Sequence, residues 1–153
     1  MEVMKRLHIC GGILKAEGIL LLGVAAVHMA VIPLLKSTFA AHITPADFRT
    51  IWSPFLLGFS VMGLLLIPLG LTTWLAGQGV IRRERWAFRI GLINAVTVLC
   101  LPVTLVLVME RRYFDAVPFV IGSILVTIVG LSMLWPLLWV RNDFTDARSS
   151  LAS

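Results

Sequence analysis

Four stretches of the chain are apolar on every helical face, with no polar stripe to set against water. They run from Gly18 to Leu35, extending back toward Gly12, from Phe55 to Ala76, from Ile90 to Met109 and from Val117 to Val140. Each is close to the roughly 20 residues that a helix needs to cross the hydrocarbon core of a bilayer. A helix apolar all round is at home in lipid, where every backbone group is satisfied within the helix itself. The pattern predicts an all-α fold, an integral membrane four-helix bundle of up-down topology forming one domain over residues 1–153.

The connecting segments carry helix-start signals. Thr44-Pro45-Ala46-Asp47 sets a capping hydroxyl, a proline and then a carboxylate in order, and predicts a short outer interfacial helix over residues 45–51. Ser53-Pro54 repeats the cap-then-proline order and should open the second span, and Asp115 is placed to cap the fourth. Pro33, Pro68, Pro102 and Pro136 lie within or near the spans, where membranes tolerate the kinks they cause. Residues 142–153 read as a polar tail. Lys5 and Arg6 ahead of an apolar run suggest a signal peptide. The run is too long for one and no small-x-small cleavage site closes it, so this segment is expected to stay in the membrane.

Composition agrees with the pattern. Of 153 residues 59% are hydrophobic and 14% charged, against about 25% charged in a soluble domain. That excludes a disordered chain, and two cysteines exclude a disulfide scaffold. The net charge of +5 is unevenly placed: nine of the thirteen basic residues fall in the N-terminus, the second connection and the C-terminus. By the positive-inside rule both termini are expected to be cytoplasmic, in a multi-pass cell-membrane protein. Trp74, Trp86, Trp135 and Trp139 would form the inner aromatic belt, with Trp52, Tyr113 and Phe114 at the outer one. The basic excess is expected to meet anionic lipid headgroups. There is no soluble basic face for nucleic acid.

In lipid, helices pack where small residues let backbones approach. The expected stripes are Gly23, Ala26 and Ala30 on the first span and Gly63, Gly70 and Gly77 on the second. Gly91 and Ala95 would serve the third, and Ser123, Thr127 and Gly130 the fourth. A further reading takes such stripes as oligomer interfaces.

Candidate chemistry is sparse. His28 stands mid-span, where an ionisable side chain is expensive. Its ring can bind a ligand, relay a proton or simply bond to a partner such as Asn94 or a backbone carbonyl. Asn94 cannot satisfy its amide on the preceding turn as Ser and Thr do, so it should bond across to another helix, with His28 the obvious partner. A His28–Asn94 pair can equally line a small ligand pocket. Glu17, at the inner edge of the first span, can exchange protons or form an ion pair with Arg89 or Lys15. Glu17 and Arg89 are thus the proton- or ion-coupling candidates. His42, Asp47 and Arg49 read as a solvated outer surface. Cys10 and Cys100 lie too far apart along the membrane normal to bridge, and Cys100 reads as buried filler. No catalytic motif, metal-ligand set or cofactor signature is present, so no catalytic residue, metal or cofactor is assigned.

Gly11-Gly12-Ile13-Leu14-Lys15-Ala16-Glu17-Gly18 resembles the first helix of small multidrug-resistance transporters. The resemblance implies that Glu17 is the embedded carboxylate that binds proton and cationic substrate. Lys15 and the extra outer segment depart from that family. More broadly, the chain resembles small four-span DoxX-like and uncharacterised integral membrane proteins. The shared features are a Gly/Ala-rich first span ending at Pro33-Leu34-Leu35, a tryptophan opening the second and an arginine-rich inside loop. That resemblance implies a four-helix bundle.

Three functions follow. The chain is a non-catalytic accessory subunit of a membrane complex or a binder of a lipophilic small molecule. Alternatively it is a proton-coupled transporter of small lipophilic cations through Glu17, or a membrane enzyme acting on a lipid or quinone-like substrate through His28. Its partners would be the bilayer and, in some of these readings, other membrane subunits or further copies of itself.

Overall fold

The computed structural model describes residues 2–40, 52–109 and 117–145. Among them lie four helices: α1 (Glu2–Ala40), α2 (Ser53–Ile81), α3 (Arg85–Met109) and α4 (Val117–Thr145). All four are long and apolar enough to cross a membrane. The expected interfacial helix over residues 45–51, with His42, Asp47 and Arg49, lies outside the described residues, as does Asp115.

The helices outrun the apolar stretches, and mostly at one kind of end. α1 starts at Glu2 rather than between Gly12 and Gly18, α2 runs on to Ile81, α3 starts at Arg85, and α4 continues to Thr145 through residues expected in the polar tail. At 39 residues α1 is about 58 Å long, nearly twice the hydrocarbon thickness. Hydropathy marks where lipid ends, whereas a helix ends where its backbone bonds run out. α2 does open at Ser53, as the Ser-Pro signal predicts. The four prolines lie inside helices that continue past them.

Buried positions follow three- and four-residue steps on every helix. On α1 they are Leu7, Gly11, Leu14, Gly18, Leu21 and Ala25; on α2 they are Gly63, Leu66, Gly70, Thr73, Gly77 and Val80. α3 contributes Ala87, Gly91, Asn94 and Val98, and α4 contributes Gly130, Met133, Leu137, Val140 and Phe144. This three- and four-residue spacing is that of a heptad seam. Off the seams many large apolar residues are exposed: Leu107 and Trp135 are each 77% exposed. Such a surface suits lipid or the apolar face of a partner, not water.

The chain divides into two compact units, Met1–Glu17 with Thr72–Ser153, and Gly18–Leu71. In the first, segments of all four helices surround a core of Leu7, Leu14, Val80, Val98, Met133, Leu137 and Val140. Gly77 and Gly11 let α1 and α2 touch backbone to backbone. A β-carbon built on Gly77 would stand 2.6 Å from the Gly11 carbonyl oxygen. Gly130 admits Leu99 of α3, and Gly91 faces Leu137 of α4 and Leu14 of α1. An Arg6–Asp143 ion pair at 3.4 Å ties α1 to α4, with the Arg6 guanidinium 5.9 Å from the Trp139 ring centroid. Phe88 and Phe144 stack at 5.1 Å. In the second unit α1 and α2 pack through Leu21, Ala25, Leu66 and Leu69, with Gly70 against the Gly18 carbonyl.

Two expectations about packing are corrected. Gly63, Gly70 and Gly77 are buried against α1, but Gly23, Ala26 and Ala30 are exposed, and a β-carbon on Gly23 would meet nothing within 4 Å. The working seam of α1 passes instead through Gly11, Gly18 and Ala25. Cys100 is exposed and Cys10 is the buried cysteine, because position 100 falls off the α3 seam whereas Cys10 adjoins Gly11.

Candidate functional site

Two polar loci stand out within the apolar helices, one in each unit. In the Gly18–Leu71 unit, His28 continues the α1 seam three residues beyond Ala25 and is half-buried. Its Nδ1 lies 3.1 Å from the Val24 carbonyl oxygen. A carbonyl can only accept, so Nδ1 carries a proton, and Nε2 of the neutral ring is an acceptor. The ring stacks on Phe59 with centroids 4.5 Å apart and planes 21° from parallel. Phe59 in turn faces Phe55 at 6.2 Å, and Phe55 meets Trp52 edge-on at 5.3 Å. Positions 52, 55 and 59 share one helical face, so the four rings form a ladder ending at the imidazole. Gly63, one turn beyond Phe59, keeps α2 close there: a β-carbon on it would stand 3.0 Å from the His28 β-carbon.

In the other unit, a polar layer draws on all four helices. Asn94 is 7% exposed, and its amide nitrogen donates to the Thr72 and Thr73 hydroxyls, each at 2.9 Å. The Ser132 hydroxyl donates to Glu17 Oε1 and also lies 2.8 Å from the Val129 carbonyl. Glu17 Oε2 is buried with no partner. The packing sets these groups at one level. Gly91 faces Leu14, so Asn94 and Glu17, each three residues further on, rise together. Gly77 meets Gly11 and Lys15, so Thr73, one turn back along α2, reaches the same height.

Each locus modifies the sequence expectation. His28 takes the backbone-carbonyl alternative, and Asn94 bonds across to another helix as expected, but to Thr72 and Thr73 rather than to His28. The Glu17–Arg89 ion pair does not form: Arg89 is exposed, and among the described residues the ion pair is Arg6–Asp143. The reason is register. Arg89 lies two residues below the Gly91–Leu14 level and Glu17 three above it, an axial separation of about 7.5 Å. Ser132 is absent from the expected site because nothing in sequence links it to a carboxylate 115 residues away. Phe55 and Phe59 are also absent from it, although their spacing from Trp52 was a legible signal.

Among the described residues no three His, Cys, Asp or Glu side chains converge as metal ligands. The chemistry on offer is therefore a stacked imidazole with an acceptor nitrogen, and a carboxylate in a layer of hydroxyls and an amide. Comparison with family models, with curated proteins and with solved structures finds no match to this chain.

Proposed function

We propose that the chain is a multi-pass membrane protein, an up-down bundle with cytoplasmic termini, that works by binding rather than by catalysis. Its site is the α1–α2 face around His28, and its ligand is a lipophilic small molecule. The observation that carries this reading is the imidazole itself: half-buried, proton fixed on Nδ1 by Val24, and stacked on the Phe59–Phe55–Trp52 ladder. A ring or tail can lie along the ladder while a hydroxyl donates to Nε2. In lipid such a bond is worth about 1–2 kcal/mol at most, enough to select the orientation of a ligand whose affinity comes from apolar contact. The exposed stripe of Gly23, Ala26 and Ala30 supports a companion role, because a partner helix can approach closely there.

The test is a thermal-stability screen in mild detergent with hydrophobic phenols and long-chain alcohols beside their methyl ethers. Hydroxyl compounds should raise the melting temperature, the ethers should not, and His28→Ala should remove the difference. Equal effects of alcohol and ether on the wild type would sink the proposal.

A second reading is favoured by Glu17, whose Oε2 is buried without a partner. Such an oxygen can take a proton or face a cation, as in the proton-coupled transport that its resemblance to small multidrug-resistance transporters suggests. Glu17→Gln should then abolish cation uptake by proteoliposomes without altering thermal stability. Unchanged uptake removes this reading.

A further inference from the structure

The turn between α2 and α3 is Arg82-Arg83-Glu84, with Arg85 opening α3. Arg83 has a φ of 61°, in the left-handed region where glycine is the ordinary occupant. The turn is firmly built. The Arg83 amide donates to the Val80 carbonyl at 3.0 Å and the Glu84 amide to the Gly79 carbonyl at 2.9 Å. These are the paired bonds of a Schellman motif, with arginine in the glycine position. The Glu84 carbonyl then accepts from Ala87 at 3.1 Å and starts the next helix. Gly79 makes the turn tight, since a β-carbon there would stand 2.5 Å from that of Ala87.

Arg82, Arg83 and Arg85 are all exposed, whereas Glu84 is half-buried, with its Oε2 3.0 Å from a β-carbon built on Gly79. The one acid of the turn is thus drawn against the helix pair while three guanidiniums face outward. Trp86, 50% exposed, is the next residue, and the apolar spans begin within a turn of it. Cations beside an exposed tryptophan at the end of a span mark the depth of lipid headgroups.

We infer that this turn is a binding site for the phosphate of an anionic phospholipid. A phosphodiester shares one negative charge over two terminal oxygens, which the planar arginine fork engages as a pair and lysine does not, and three clustered cations favour a headgroup without a balancing choline charge. Placing arginine where glycine relieves backbone strain is explained when the guanidinium has a ligand to hold. The acyl chains of the same lipid can lie along the exposed apolar faces of α2 and α3. The inference is independent of the reading at His28.

The experiment is native mass spectrometry of the full chain in mild detergent, titrated with short-chain phosphatidylglycerol or phosphatidylcholine, alongside thermal melts. The wild type should retain phosphatidylglycerol in preference to phosphatidylcholine, and inorganic phosphate should not displace it. Arg83→Gly should melt at a higher temperature yet bind phosphatidylglycerol about fivefold more weakly. Arg83→Lys, which keeps the charge, should also bind more weakly. Equal retention of the two lipids would overturn the site, as would wild-type binding by Arg83→Lys, which points to diffuse charge. Displacement by inorganic phosphate would make the ligand a free anion instead. A lower melting temperature in Arg83→Gly would make Arg83 a structural residue and overturn the proposal as well.

Discussion

Replacing Gly77 by alanine is the sharpest test of how α1 and α2 meet. The added β-carbon would stand 2.6 Å from the Gly11 carbonyl oxygen and 2.9 Å from the Lys15 amide nitrogen. Both are backbone atoms and cannot swing aside. Ordinary contact starts at 3.4 Å, so the helices must part by roughly 0.8 Å. Overpacking of this kind costs about 1–3 kcal/mol, and the parting also loosens the contacts of Leu14 and Val80. Alanine recovers about 0.5–1 kcal/mol of helix propensity, which leaves a net loss of about 1 kcal/mol. Gly70→Ala should cost less, since its nearest atoms lie at 2.9 Å. Gly63→Ala should be nearly neutral, because it meets the Met29 sulfur and the His28 β-carbon at 3.0 Å or more. Gly23→Ala meets nothing and should stabilise by about 0.5–1 kcal/mol. Unfolding in mixed micelles of rising denaturing-detergent fraction would rank the four variants. The reasoning fails if Gly77→Ala is as stable as the wild type, or if Gly23→Ala is the more damaging change.

Other outcomes follow from single contacts. Asn94→Ala removes the two hydrogen bonds to the Thr72 and Thr73 hydroxyls and should cost about 1 kcal/mol, since hydrogen bonds within membranes average ~0.6 kcal/mol each; the same micelle titration measures it. Arg6→Ala removes the partner of Asp143 and a contact with Trp139. Its cost should exceed the ~1 kcal/mol of an exposed ion pair, because the Asp143 side chain is only 13% exposed, and Arg6→Ala/Asp143→Ala should recover part of the loss. A double-mutant cycle in which the two costs simply add would show that the pair contributes nothing.

How much of this was legible in the sequence depended on what each signal measures. The four spans were plain because a run without charge has few other physical explanations. Their ends were not, because Lys5, Arg6, His8, Lys15 and Glu17 mask the apolar seam of Leu7, Cys10, Gly11 and Leu14 that carries α1 back to Glu2. The seven-residue recurrence of glycine on α2 identified its packed face. On α1 two rows of small residues compete, Gly11–Gly18–Ala25 and Gly23–Ala26–Ala30, and spacing alone cannot choose between them. His28 was conspicuous as the lone ionisable group mid-span, yet its stacking partner depends on the register of α2. The partner of Glu17 depends on three-dimensional packing and was beyond reach from sequence. The Schellman turn at Arg83 was hidden too, since its usual signal is a glycine that this chain lacks there.

The central claim, a lipophilic ligand held at His28, is tested most directly by native mass spectrometry of protein purified in mild detergent, with an absorption spectrum of the same sample. The account predicts that the wild type carries a discrete small-molecule mass that His28→Ala loses while keeping its fold. A bare chain in both proteins, or the same adduct retained by His28→Ala, would contradict it.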